Sequence, residues 1–265
     1  MVNVETRLSE SCTTSGINPL YHNEESIRQL LMREFTLSFS ELDHLFFYGA
    51  GCINSNTTDI VQRALNRHFK SSSVTIQSDL MCAARSLCKD RPGIACILGT
   101  GSNSCYYDGT EISRHISPLG YILGDEGSGA VIGRKFISDL LKNQLPAYVT
   151  DRFYQQYQLT AGLILETVYK KPFPNRFLAQ FTRFIHENIQ EPKLKNLVKE
   201  SFNDFFIRNI RQYPEAQHLP INFTGSIAYY FNDVLQESAA ELGHKTGIIS
   251  VSPMKGLIEF HLKNL

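Results

Sequence analysis

Apolar residues recur along this chain with two different periods, and the changes of period sketch its elements. In EESIRQLLMREF (Glu24–Phe35), Ile27, Leu30, Leu31 and Phe35 fall on one helical face. HLFFYGAG (His44–Gly51) is instead a short unbroken apolar run ending in glycines, the pattern of a buried strand. Helical spacing returns over Asp59–Lys70 through Ile60, Val61, Ala64, Leu65 and Phe69, with Thr57 or Thr58 as the expected cap. Val74–Ile76 predicts a short strand and Asp79–Lys89 another helix. The run GIACILGTGSNSCYYDGTEISR predicts a strand, a glycine turn, a second strand and an Asp-Gly hairpin, the densest β signal in the chain.

Beyond Gly124 the helical period dominates. It covers Val131–Leu141, Ala161–Lys171, Phe177–Ile189 and Leu194–Ile210, punctuated by Pro146, Pro172, Pro174, Pro192 and Pro214. A strand in PINFTG, a long helix over Ser226–Leu242, a β run TGIISVS and a closing helix over Gly256–Leu265 complete the pattern, while VNVETRLSE near the start reads as one polar strand. Alternating strands and helices predict an α/β protein. The change of character predicts a strand-rich domain over residues 1–110 and a helix-rich one over 111–265, with the closing helix able to pack back on the first.

Composition narrows the classes of function. The 265 residues carry 26 Lys+Arg against 26 Asp+Glu, so no basic excess marks a nucleic-acid binder. A hydrophobic content of 42% supports a packed core rather than disorder. No apolar run approaches the ~20 residues that span a bilayer, and MVNVETRLSE has no apolar signal core, so a cytoplasmic protein without a membrane partner is expected. The cysteines Cys12, Cys52, Cys82, Cys88, Cys96 and Cys105 form no CxxC and have no His partner at metal spacing, so buried, reduced thiols are expected and no metal-ligand set is assigned. The run Lys193–Lys199 reads as a solvated helix face, because Leu194, Leu197 and Val198 supply an apolar stripe beneath it.

Three glycine turns carry the candidate chemistry. Leu98-Gly99-Thr100-Gly101-Ser102-Asn103 joins two predicted strands; its amides and hydroxyls suit an anion, and an ordinary hairpin is the competing reading. It is neither a P-loop nor a GxGxxG, since no GK[ST] closes it and no helix follows. Gly120 to Gly129 opens a helix, where Asp125 could be a mere cap, but Gly127, Gly129 and Gly133 imply close approach of a ligand or another segment. Phe223-Thr224-Gly225-Ser226 leads from a strand into a helix, a geometry that suits a nucleotide as well as a bare turn.

Taken in order, ILGTGSNSCYYDG, SPLGYILGDEGSGAVIGRKFI and FTGSIAYYF resemble the N-acetylglucosamine kinase-like family of BadF/BadG-type ATPases, within the actin-like sugar kinases. The similarity runs from TSGINP at Thr14 to the closing helix. It implies two ribonuclease-H-like domains around a central cleft and transfer of the ATP γ-phosphoryl, with Mg2+, to a hydroxyl of an amino sugar, and it is compatible with a homodimer. Gly99, Thr100 and Gly101 would contact ATP phosphates, while Gly225, Ser226 and Ala228 would pack on the adenosine, with Tyr229 able to edge the adenine. Asn18, Ser102, Asn103, Gly120 and Asp125 would attend the sugar, and Asp79 would be the general base, with an N-cap as its competing role. The three turns are expected to converge from both halves of the molecule.

Two departures qualify the resemblance. Pro118-Leu119-Gly120 stands where related kinases have Gly-Trp-Gly, which leaves the sugar's identity open. No Asp-Gly-x-Thr-Lys turn precedes Thr14, so the first domain is expected to be incomplete at its N-terminus and phosphate transfer to be slow. A non-catalytic sugar or nucleotide sensor is the alternative. An iron–sulfur ATPase activator is disfavoured, because Cys82 and Cys88 stand alone on one predicted helix.

Overall fold

Two separate sheets organise the chain in the computed structural model, which describes residues 1–38, 41–52 and 54–265. The first part runs α1 (Glu24–Glu34), β1 (Leu42–Gly49), α2 (Ser55–His68), β2 (Ser71–Ser78) and α3 (Asp79–Cys88). Next come β3 (Gly93–Leu98), β4 (Ser102–Tyr107), β5 (Ile112–Ile116), α4 (Gly120–Leu123) and α5 (Gly129–Leu141). A helical stretch follows: α6 (Ala147–Tyr157), α7 (Ala161–Lys170), α8 (Pro174–Ala179), α9 (Thr182–Glu187) and α10 (Pro192–Arg208). The chain closes with β6 (Ile221–Thr224), α11 (Ser226–Tyr230), α12 (Asn232–Glu241), β7 (Thr246–Ser250) and α13 (Met254–Asn264). Two compact units result: Met1–Ser86 with Met254–Leu265, and Leu87–Pro253.

In the first unit β1 and β2 pair in parallel, from Leu42 opposite Ser71 to Gly49 opposite Ser78. Side chains alternate across the pair. Leu45 and Phe47 join the core that Ile27, Leu31, Val61, Ala64 and Leu65 bring from α1 and α2, whereas Phe46 stacks on His261 of α13 and Tyr48 bonds to Arg85 of α3. The strand is half-buried rather than fully buried, because its sheet has two strands among the described residues. VNVETRLSE is not a strand of that sheet. It folds back on itself, with a single antiparallel bridge between Val2 and Ser9 and the Arg7 amide bonded to the Asn3 carbonyl. The α2 cap is Asn54 rather than a threonine, because the Asn54 side chain accepts from the Thr57 amide and Thr57 returns a bond to the Asn54 amide.

The second unit holds a five-stranded sheet in the order β5-β4-β3-β6-β7. β3 pairs antiparallel with β4 and parallel with β6, so the dense β segment belongs with the helices that follow it. Residue 110, where a seam is expected, lies inside the β4–β5 hairpin, whose turn is closed by Asp108 Oδ1 accepting from the Thr110 and Glu111 amides; the units divide between Ser86 and Leu87 instead. Ile94, Cys96 and Leu98 of β3 and Ile221 and Phe223 of β6 lie in a core filled from the helices by Phe136, Phe153, Phe181, Phe184, Phe202 and Phe206. Leu194, Leu197 and Val198 of α10 are buried there, while Lys195 and Lys199 pair with Glu237 and Glu241 outside it. All six cysteines are free, five of them buried and Cys12 half-exposed. No helix among the described residues is long and apolar enough to cross a membrane.

Candidate functional site

Strand direction gathers the glycine turns. β3 and β6 run parallel with Ile97 opposite Thr224, so the Gly99 and Gly225 turns leave from neighbouring carboxyl ends of adjacent strands, the end at which α/β sheets bind ligands. Gly225 holds φ at +117°, and a side chain there would collide with the Leu98 carbonyl oxygen. Its amide donates to the Ser250 carbonyl at 2.9 Å, which ties the turn to β7. The Gly99 turn is closed by Gly99 N–H donating to the Gly101 carbonyl at 2.9 Å, and the Thr100 and Gly101 amides have no intramolecular acceptor among the described residues. Thr100 is exposed, and a Cβ built on Gly99 would meet nothing within 4 Å. The turn therefore offers free donors beside open space, which suits phosphate oxygens.

The third turn folds onto the first. The Gly129 amide donates to the Gly99 carbonyl at 2.8 Å and the Ala130 amide to the Thr100 carbonyl at 3.0 Å. Ser128 is the α5 cap, its hydroxyl accepting from Val131 N–H, so Asp125 is not. Asp125 stands in the left-handed region at φ +54°. One carboxylate oxygen accepts from the Ser102 amide at 3.3 Å, and the carboxylate borders Gly101. Burial raises its pKa; the Ser102 amide opposes the rise and the Glu126 charge adds to it. Glu126 turns the other way, paired with Arg208 at 2.5 Å and bonded by Asn209. The two acids of GDEG thus divide, one facing the turn and one anchoring the loop. The nearby glycines answer to chain packing: a side chain at Gly133 would enter the Leu178 carbonyl, where α8 crosses α5.

Other expected residues meet different fates. Asn103 Oδ1 receives the Ser104 amide at 3.0 Å and lies 2.8 Å from His115 Nε2. Ser102 is buried, so its backbone rather than its hydroxyl serves the turn. Gly120 is exposed at φ +75°, with nothing near a built Cβ. Leu119, Ile122 and Leu123 beside it are exposed apolar residues in the segment that lacks the tryptophan. Ser226 is exposed, but Ala228 is 0% exposed, so it supports the turn from within the core instead of touching a ligand. The long helix expected after Ser226 breaks at Phe231, which is buried while Tyr229 and Tyr230 are exposed. The three turns expected to come from both halves all lie in the second unit.

The first unit carries its own candidate residues at the carboxyl end of its parallel pair. Asp79 follows directly on β2, and Cys52 lies just beyond β1 near enough for the Asp79 charge to add to the rise that burial gives its thiol pKa. Ser78 Oγ accepts from the Met81 amide, so the cap of α3 is Ser78; Asp79 Oδ1 accepts from its neighbour, the Leu80 amide, at 2.9 Å. Asn18 packs against Gly51 at the end of β1, its Oδ1 accepting from the Leu20 amide. The pairing of Asn18 with Gly51 escaped sequence reasoning, although the Gly-Ala-Gly after an apolar run was its visible signal.

No family model matches the chain, and no curated protein sequence matches it. Solved structures do. A crystal structure from Porphyromonas gingivalis, described as a "putative N-acetylglucosamine kinase", is 43% identical with a TM-score of 0.89 over 96% of this chain and 90% of that one. One from Chromobacterium violaceum with the same description is 16% identical, with a TM-score of 0.66 over 89% and 83%. MreB 5 of Spiroplasma citri, bound to AMPPNP, is 11% identical, with a TM-score of 0.52 over 92% and 76%. The last two share the fold alone. The parallel sheet ends, the glycine turns seated on them and this degree of identity to the first structure place the chain in the N-acetylglucosamine kinase-like family, with the actin-like ATPase fold.

Proposed function

We propose that the protein transfers the γ-phosphoryl group of ATP to a hydroxyl of an amino sugar of the N-acetylglucosamine or glucosamine type. The observation that carries this reading is the arrangement of the Gly99 turn, with free amides on one side and the Asp125 carboxylate against Gly101 on the other. Thr100 and Gly101 N–H groups hold phosphate oxygens, and the Gly225–Ser226 turn bounds the nucleoside. Asp125 accepts from sugar hydroxyls, and Asn18 adds an amide contact. Asp79 takes the proton from the attacking hydroxyl as the phosphoryl group leaves. Mg2+, when it accompanies ATP, neutralises charge on the phosphates and keeps most of its own waters. A cytoplasmic site of action agrees with such substrates.

A coupled ADP-release assay with N-acetylglucosamine and with glucosamine tests this reading, and sugar-dependent ADP release supports it. Thermal stabilisation by sugar but not by ATP–Mg, with no ADP formed, would refute the kinase and leave a sensor.

A further inference from the structure

The face of the β1–β2 pair opposite the α1–α2 core carries a polar cluster that the proposed reaction does not use. Arg85 Nη1 donates to Tyr48 Oη at 2.8 Å, and Tyr48 Oη lies 2.9 Å from His261 Nε2. A guanidinium can only donate, so Tyr48 accepts from Arg85 and gives its own proton toward His261, whose Nε2 must offer a lone pair. Burial, with the Arg85 charge, pushes the His261 ring down to about 4, in keeping with that neutral role. The His261 ring stacks on Phe46 with 3.7 Å between centroids, and the Arg85 guanidinium lies 5.3 Å from the Phe260 centroid. Arg85 Nε is buried with no hydrogen-bond partner among the described residues. The cluster thus ties together β1, α3 and α13.

Its place on α3 gives the cluster a use. Asp79 opens the helix that Arg85 ends near, six residues and about 9 Å further along at ~1.5 Å per residue. One residue beyond Arg85, a side chain at Gly256 would enter the Ser86 carbonyl, so α13 and α3 touch at the backbone. A helix held at one end by a donor relay and a backbone contact has little freedom to tilt at the other.

We propose that Arg85, Tyr48 and His261 form a clasp through which α13 sets the position of α3 and hence of the Asp79 carboxylate. They are positioning residues, and the inference rests on Asp79 being the general base. A base displaced by about 1 Å loses on the order of 10²-fold in rate while substrate binding persists. Tyr48→Phe keeps the ring and removes both hydrogen bonds, and His261→Gln keeps an acceptor that His261→Ala does not.

The test measures kcat and KM for ATP and N-acetylglucosamine in these three variants, alone and combined with Asp79→Asn, together with amide hydrogen exchange over Leu80–Ala84. Tyr48→Phe and His261→Ala should lower kcat roughly 10- to 100-fold, leave both KM values within about two-fold, and speed exchange in α3. His261→Gln should recover most of the loss, and none of the three should lower turnover further once Asp79 is Asn. Unchanged kcat and exchange in Tyr48→Phe and His261→Ala, beside an inactive Asp79→Asn, would overturn the clasp alone. An Asp79→Asn enzyme as fast as the parent would overturn the base assignment and, with it, the catalytic meaning of the clasp.

Discussion

Gly225→Ala is the most direct test of the turn that joins β6 to α11. At φ +117° and ψ 158° the residue occupies backbone space essentially reserved for glycine, where another residue is strained by ~1–3 kcal/mol. The added methyl would also run into the Leu98 carbonyl oxygen. That oxygen cannot swing aside, since β3 is bonded to β4 on one side and β6 on the other. Together these effects should destabilise the protein by about 2–4 kcal/mol, a lowering of Tm of roughly 4–16 °C. Relief by shifting the turn would move Gly225 away from Gly99 and weaken nucleotide binding. Gly99→Ala is the contrasting variant: its methyl meets nothing within 4 Å, so Tm should stay close to the parent's. That methyl would nevertheless project beside the free amides, and ATP–Mg binding should fall. Thermal melting with and without ATP–Mg reads all four outcomes. A Gly225→Ala protein melting within about 1 °C of the parent, or a Gly99→Ala protein destabilised as strongly, would refute the reasoning.

Three further outcomes are expected. Asp79→Asn should lower kcat by roughly 10²–10⁴-fold with the sugar dissociation constant nearly unchanged, measured by ADP release and calorimetry, whereas Asp125→Ala should chiefly weaken the sugar. The folded-state pKa of Asp125 is raised by burial, so its charged form opposes folding increasingly as pH rises from 3.8 through that raised value. Asp125→Asn, which keeps an acceptor for Ser102 N–H, should therefore melt higher than the parent at pH 7 and equal to it below pH 3.8; no gain at pH 7 would contradict this. His261 is depressed from 6.5 to about 4, so its contribution to stability is present above pH 6.5 and fades as pH falls toward 4. Denaturant unfolding of His261→Gln should show a shallower loss across that window than the parent, and parallel curves would count against a neutral His261.

Much of the pattern was legible because local chemistry governed it. Ile27, Leu30 and Leu31 are buried on α1 as their spacing demands, and the glycine turns fall where the apolar runs end. Helix α6 was not visible, since only Val149 and Phe153 of its 11 residues are buried, too few to print a period. The helix read over Phe177–Ile189 is two short ones broken near Phe181, which is wholly buried in the core. There Phe181 packs edge-on against Phe153 and Tyr157 of α6, a tertiary contact that no local pattern reports. The unit boundary was misplaced for a related reason: the pairing of β3 with β6 joins segments more than a hundred residues apart. At the site, GDEG marked Asp125 as a candidate, but its contact with Gly101 and the release of capping to Ser128 are tertiary facts.

The return of α13 to the first unit makes that unit discontinuous in sequence, with all of Leu87–Pro253 inserted between its two parts. During synthesis the inserted unit is finished and can fold while the earlier one still lacks His261 to cover Phe46 and Tyr48. Until the last helix emerges, that aromatic surface is bare on the nascent chain, so chaperone capture and premature degradation should concentrate on the portion made first.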